Sequence, residues 1–136
     1  MPVQRLKTRA QFQAVLAGTI IAKTQHFALH RGRVDAKTSP LGRLGYAPSL
    51  FREQDMWIGA LVPKRWAKRA VTRNAIKRQI YMVSAEFFNS YPQAAFVVRL
   101  RSSFPRTEFV SAASDQLKLV VRAEIQALMQ AGAKAL

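Results

Sequence analysis

The sequence predicts an α/β fold, a two-layer α-β sandwich in which helices pack on a small mixed β-sheet. Three observations lead to this class. Apolar segments with strand character flank a long amphipathic helix, the 136 residues suffice for one hydrophobic core, and 49% of them are hydrophobic. A strand, a long helical crossover and a second strand normally run parallel. We therefore expect residues 1–136 to form a single domain.

The first half of the chain predicts a helix, a strand and a long loop. Residues 8–17 favour a short helix, because Thr8 is a suitable N-cap and Gly18 can adopt a left-handed conformation at the C-terminus. Residues 24–30, TQHFALH, alternate two kinds of side chain and predict a strand. Residues 31–56 hold three of the six glycines and two of the six prolines, and predict a loop insertion.

The second half predicts a strand, the long helix, another strand and a terminal helix. The apolar run WIGALV, residues 57–62, ends at Pro63 and is typical of a buried strand. A helix is expected from about 67 to 88, with its buried stripe formed by Ile76, Ile80, Val83 and Phe87. Tyr91-Pro92 would stop it before a strand at 95–101, AFVVRLR.

The terminal helix would begin at a cap formed by Thr107 or Ser111 and continue to about Leu128. Its buried side is predicted to comprise Phe109, Leu117, Val120, Val121 and Leu128.

The charge distribution favours a polyanionic partner. Lys and Arg number 22 against 7 acidic residues, which gives a net charge of +15, and residues 1–34 and 56–85 contain no acid. Nucleic acid is the first expectation and an anionic membrane the second. The chain has no cysteine, which excludes disulfides and thiolate sites. No segment has the length and apolarity of a signal peptide or membrane span, so a cytoplasmic protein is expected.

The most basic segment is KRWAKRAVTRNAIKRQIY, Lys64 to Tyr81, with seven cations in eighteen residues. On a helix, Arg73, Asn74, Lys77 and Arg78 lie within about 140° of one another, on a side largely separate from the apolar stripe. Arg73 and Lys77 at i, i+4 repel each other. The pattern indicates an RNA phosphate surface, and the alternative is a solvated basic face.

The segment RAVTRNAIKR, following the strand IGALVPKR, resembles the signature of the protein component of bacterial ribonuclease P. The resemblance extends to RLKTRAQFQAVL near the start, to QHFALH, and to AFVVRLR followed by a helix. Three positions depart from the family pattern: Ala75 replaces a usual cation, Leu16 a common aromatic residue and His30 a frequent Tyr.

The resemblance implies that catalysis belongs to an RNA subunit, which uses magnesium to hydrolyse the phosphodiester at the mature 5′ end of precursor tRNA. We accordingly expect no catalytic residue and no metal ligand in the protein. The seven acids are scattered, and only Glu53 and Asp55 lie close together. His26 and His30, on one strand face, would stand about 13 Å apart, which is too far for one metal ion.

The resemblance also implies two RNA-contacting surfaces. The basic surface, expected to bind the catalytic RNA, comprises Lys64, Arg65, Lys68, Arg69, Arg73, Asn74, Lys77 and Arg78. The leader groove, expected to hold the single-stranded 5′ leader of precursor tRNA, comprises Phe12, Leu16, Ala28, His30, Arg99 and Arg101. Core packing is the alternative for Phe12 and Leu16, and solvation is the alternative for the two arginines.

Two other functions are compatible with composition alone. One is a stand-alone or ribosomal-type RNA-binding protein with no part in cleavage. The other is a protein nuclease, against which the scattered acids argue. The resemblance implies the ribonuclease P RNA and precursor tRNA as partners, and we expect no membrane and no obligate protein partner.

Overall fold

The structure, a computed structural model, describes residues 3–32, 56–91, 94–104 and 115–135. Its elements are β1 (Val3–Arg5), α1 (Arg9–Leu16), β2 (Thr19–Lys23), β3 (Phe27–Gly32), β4 (Met56–Leu61), α2 (Ala70–Glu86), a 3₁₀ turn (Phe88–Ser90), β5 (Ala95–Leu100) and α3 (Asp115–Ala135). The predicted α/β class is confirmed.

The five strands form one mixed sheet in the order β1-β4-β5-β3-β2. Strands β1, β4 and β5 are parallel, whereas β3 is antiparallel to both β5 and β2. The parallel crossover predicted between the strands before and after the long helix is confirmed, because β4 pairs directly with β5.

Each face of the sheet has its own apolar cluster. On one face, side chains such as Ile58 and Phe96 pack with α2 and α3, and the predicted stripe residues Ile76, Ile80 and Val83 are buried there. On the opposite face, the smaller cluster includes Val15 of α1. The long helices therefore cover one side of the sheet, and the short α1 covers part of the other.

Helix α1 begins at the predicted cap. The Thr8 side chain accepts from the N–H of Gln11, while the Gln11 side chain accepts from the N–H of Thr8, so both form a capping box. Gly18 does not take the predicted left-handed conformation. Its role is steric, since a Cβ there would lie 2.1 Å from the carbonyl oxygen of Arg31.

Two strands were missed by sequence reasoning, β1 and β2, because both are short edge strands with little apolar periodicity. The predicted loop is also shorter at both ends. Strand β3 continues to Gly32 and β4 begins at Met56, while residues 33–55 lie outside the described part of the chain.

The observed helix boundaries also differ from the predicted ones. Helix α2 begins at Ala70 and ends at Glu86, and α3 continues to Ala135. Val120, predicted to be buried on α3, is 39% exposed. The proposed caps Thr107 and Ser111 and the predicted core residue Phe109 lie outside the described residues.

The two histidines do not share a face, contrary to prediction. Strand β3 begins only at Phe27, so His26 belongs to the preceding turn and its Nδ1 lies 2.8 Å from Glu124 Oε1 of α3. Its ring also stacks on Phe104 at 4.0 Å between centroids. His30 instead contacts Arg99, on the α1 side of the sheet.

No helix within the described ranges has the length and apolar character needed to cross a membrane.

Candidate nucleic-acid interface

The turn before α2 brings a group of cations to the helix start. The N–H groups of Trp66 and Ala67 both donate to the carbonyl of Pro63, at 3.1 Å each. Pro63 thus ends β4 and also shapes the turn. Arg69 at the N-cap makes no side-chain cap bond, and the first turn of α2 contains no acid. The positive end of the helix dipole therefore adds to the field of the cations.

Most of the basic surface is accessible. The exposed members are Lys64, Arg65, Lys68, Arg69, Asn74 and Arg78, whereas Arg73 and Lys77 are half-buried. In the described part of the chain, ion pairs join His26 with Glu124 and Arg122 with Glu86, and neither includes a cation of this surface. These charges are not neutralised within the described structure.

Arg73 differs from its neighbours because its guanidinium contacts the backbone. Its Nη1 donates to the carbonyl oxygens of Ala67 at 3.0 Å and Lys68 at 2.8 Å. These bonds fix the turn that carries Lys68 and Arg69. Arg73 therefore has a structural role in addition to its predicted contact with RNA, a role that residue type alone could not indicate.

Sequence reasoning did not include Arg5 of β1 in the basic surface. Its guanidinium carbon lies 4.1 Å from the ring centroid of Tyr81. Tyr81 follows Lys77 by one turn of α2, so it lies on the same helix face. The contact depends on the pairing of β1 with β4, in which Arg5 stands beside Ile58.

On the other side of the sheet, Phe12 is half-buried against β4. A Cβ at Gly59 would lie 2.6 Å from Cε1 of the Phe12 ring, so the ring rests on bare backbone. Leu16, one turn later, is also half-buried and packs with the same cluster. Phe12 and Leu16 are therefore each partly packed in the core and partly accessible from the groove.

Arg99 and His30 form the polar part of the leader groove. Arg99 Nε donates to His30 Nε2 at 3.0 Å, so the acceptor Nε2 is unprotonated and the proton of the neutral ring resides on Nδ1. That Nδ1 is buried and has no hydrogen-bond partner among the described residues. Burial, followed by the nearby Arg99 charge, lowers the pKa of His30 below its ordinary value.

The other two groove residues are placed differently. Ala28 has no exposed surface, so it forms packed floor and not a contact surface. Arg101 is exposed at the end of β5, and its Nη1 donates to the carbonyls of Thr24 at 3.0 Å and Gln25 at 2.7 Å. Its guanidinium therefore stabilises the turn before β3.

Comparison with known proteins agrees with this geometry. The family described as ribonuclease P matches residues 2–124 of this chain. The chain belongs to the ribonuclease P protein family. The ribonuclease P protein components of Bordetella parapertussis and Bordetella bronchiseptica are each 31% identical to it over 123 residues, covering 90% of this chain and 86% of theirs.

Solved ribonuclease P proteins share the fold. The Staphylococcus aureus RNase P protein matches with a TM-score of 0.62 at 18% identity, covering 93% of this chain and 92% of that one. A mutant of that protein, described as having defective mRNA degradation activity, matches with a TM-score of 0.61 at 17% identity, covering 93% and 85%. The mixed sheet with three helices is thus a ribonuclease P protein fold.

Membership of the ribonuclease P family establishes the general role. The chain is an RNA-binding subunit that works with the ribonuclease P RNA in tRNA 5′ maturation. The alternative of an RNA-binding protein unrelated to cleavage is not favoured. Within the described ranges, no three His, Asp or Glu side chains form a group that could hold a metal ion. Glu53 and Asp55 lie outside those ranges.

Proposed function

We propose that the basic surface docks on the catalytic RNA of ribonuclease P while the leader groove holds the 5′ leader of precursor tRNA. The observation that carries the first part is the accessible, acid-free cluster at the start of α2, whose cations have no ion-pair partner within the described ranges. Phosphate oxygens would supply the missing negative charge.

The sheet separates the two surfaces. Helix α2 packs on the face that carries Ile58 and Phe96, whereas Phe12 and the His30–Arg99 pair lie on the face that carries Val97. One subunit could therefore contact two RNA segments at once without competition between them. Such bridging would hold the precursor close to the catalytic RNA.

The leader groove offers contacts that do not depend on base sequence. The half-buried Phe12 ring provides a flat apolar face for stacking, and Arg99 provides a cation for the phosphate chain. These contacts suit leaders of varied sequence.

Magnesium is proposed to bind mainly through the RNA subunit, where it would supply the hydrolytic chemistry. The residues of this chain would contribute binding and orientation of the two RNAs. A cytoplasmic location is proposed as well, in keeping with a chain that has no cysteine.

Reconstitution with a bacterial ribonuclease P RNA tests the proposal. At low magnesium, the protein should increase cleavage of precursor tRNA at the mature 5′ end. Ordinary RNA affinity without stimulation of cleavage would overturn it and restore the stand-alone RNA-binding alternative. Cleavage by the protein after removal of all RNA would instead show a protein nuclease.

The leader groove is tested by comparing the binding of precursor tRNA with that of mature tRNA, which has no leader. Phe12→Leu keeps an apolar side chain over Gly59 but removes the flat ring, so the fold should survive. The variant should weaken binding of leader-bearing precursor to the holoenzyme more than binding of mature tRNA. Equal losses for both RNAs would mean that Phe12 is only a core residue.

A further inference from the structure

We infer that Arg5 is an RNA-phosphate ligand, positioned by Tyr81, that extends the basic surface from α2 onto the first strand. The inference rests on the proposed docking of that surface on the catalytic RNA. It adds a contact from a different part of the chain, since Arg5 lies 59 residues before Lys64 in the sequence.

The aromatic ring of Tyr81 has a fixed position. Strand β1 ends at Arg5, so the N–H of Ala60 further along β4 is not paired by it. That N–H donates to Tyr81 Oη at 3.2 Å. The bond attaches the half-buried Tyr81 to the sheet. It fixes the ring beside Ala60, at the part of the β4 edge that β1 does not cover.

The guanidinium of Arg5 is oriented by the Tyr81 ring. Arg5 lies over the Tyr81 ring with its Cζ 4.1 Å from the centroid, a geometry in which the cation is attracted to the ring face. The Arg5 side chain makes no hydrogen bond or ion pair within the described ranges, and the residue is exposed. Its planar set of N–H donors is therefore held in place and left unoccupied, which suits bidentate contact with a phosphate.

Arg5 lies on the same side of the sheet as α2. Arg5 stands in register with Ile58, whose side chain faces α2 and α3. Tyr81 follows Lys77 by four residues and Arg78 by three, so the three are neighbours on the helix surface. Arg5 thus belongs with the basic surface and lies on the opposite face of the sheet from Phe12 and the leader groove.

The experiment measures binding of the full chain to the catalytic RNA alone, over a range of salt concentrations. Arg5→Met keeps an apolar stem on the Tyr81 ring but removes the charge. It should reduce the slope of log K against log salt by about 0.7–0.9 and lower affinity about fivefold near 0.15 M salt. Arg5→Lys should keep the slope, yet still lose affinity severalfold, because an ammonium lacks the planar donors.

Two further variants separate the possible outcomes. Lys134→Ala removes the same charge from the exposed last turn of α3, and should leave the slope nearly unchanged. Lys77→Ala tests the proposed docking itself. If Lys77→Ala lowers the slope but Arg5→Met behaves like Lys134→Ala, the inference about Arg5 is overturned while the docking surface stands. If Lys77→Ala also leaves the slope unchanged, the docking surface is wrong and the inference fails with it.

A double-mutant cycle tests the role of Tyr81. Tyr81→Leu should lower RNA affinity when Arg5 is present and have little further effect in the Arg5→Met background. Additive losses would mean that Tyr81 does not position Arg5. Tyr81→Phe retains the ring but loses the bond from the Ala60 N–H, and should lower RNA affinity less than Tyr81→Leu does.

Discussion

Arg99 and His30 are diagonal neighbours across the β5–β3 ladder, and Arg99 Nε donates to His30 Nε2 at 3.0 Å. Burial favours the neutral form of the imidazole, and the neighbouring guanidinium favours it further. The bond also determines which nitrogen carries the proton. The pair therefore holds His30 as a neutral, buried ring in one tautomer on the α1 side of the sheet.

The first prediction concerns the pH dependence of stability. The pKa of folded His30 lies below the ordinary value of 6.5, so between these two values the unfolded chain binds more protons than the folded chain. The contribution of His30 to the free energy of unfolding is then complete above pH 6.5 and is lost as the pH falls through the folded pKa. His30→Gln should show a flatter pH profile in urea denaturation. An NMR titration of His30 with a pKa above 6.5 would contradict this expectation.

The second prediction compares two glycines under α1. An added Cβ at Gly59 would meet the Phe12 ring and a methyl of Leu6, which can shift, whereas at Gly32 it would lie 2.6 Å from the Cα of Val15. Gly59→Ala should cost about 1–3 kcal/mol of unfolding free energy, and Gly32→Ala should cost more because α1 itself must move. Urea denaturation of both variants checks the order. Adding Phe12→Leu to Gly59→Ala should recover part of the loss but give no benefit with Gly32→Ala.

The third prediction separates the two roles of Arg73. Because its Nη1 bonds to the carbonyls of Ala67 and Lys68, Arg73→Lys should keep the charge but loosen the turn. We expect about 1 kcal/mol lower stability, and reduced RNA affinity with little change in salt slope. Thermal unfolding and salt-dependent binding provide the measurements. Full RNA affinity in Arg73→Lys would show that the turn does not need the guanidinium.

The fourth prediction contrasts two glutamates. Glu124 accepts from Thr24 Oγ1 at 2.6 Å and from the N–H of His26 at 2.7 Å, in addition to its contact with the His26 ring. Glu124→Gln should therefore cost about 1–3 kcal/mol. Glu86→Gln makes the same change in net charge, but the Glu86 side chain is 50% exposed in its pair with Arg122, so about 0–1 kcal/mol is expected. Similar losses in denaturant would mean that the Glu124 bonds add nothing.

Much of the fold could be predicted because its signals are local. The stripe Ile76–Ile80–Val83 follows from helical spacing, and the cap at Thr8 follows from a hydroxyl that can accept from a nearby backbone N–H. The structure confirms both. Strands β1 and β2 could not be found in this way. Each is an edge strand whose pairing depends on a partner distant in sequence.

The candidate site divides in the same manner. The cations of the basic surface are a property of composition and helical phase, and the structure shows six of its eight residues exposed. The supporting contacts of Arg73 and the stacking of Arg5 on Tyr81 could not be predicted, because residue type does not indicate which donors are already occupied. Ala75, where a cation is usual, is half-buried on α2, and Arg5 supplies a cation elsewhere on the same side.

The α/β class, the parallel crossover, the basic helix face and the resemblance to the family could all be predicted from the sequence, because they depend on local periodicity, charge and motif. Tertiary packing was needed to show that His26 and His30 face opposite sides of the sheet, that Ala28 is fully buried, and that Arg5 stacks on Tyr81. Strand register determines which side chains meet, and a residue just before a strand, such as His26, does not follow the strand's alternation of faces.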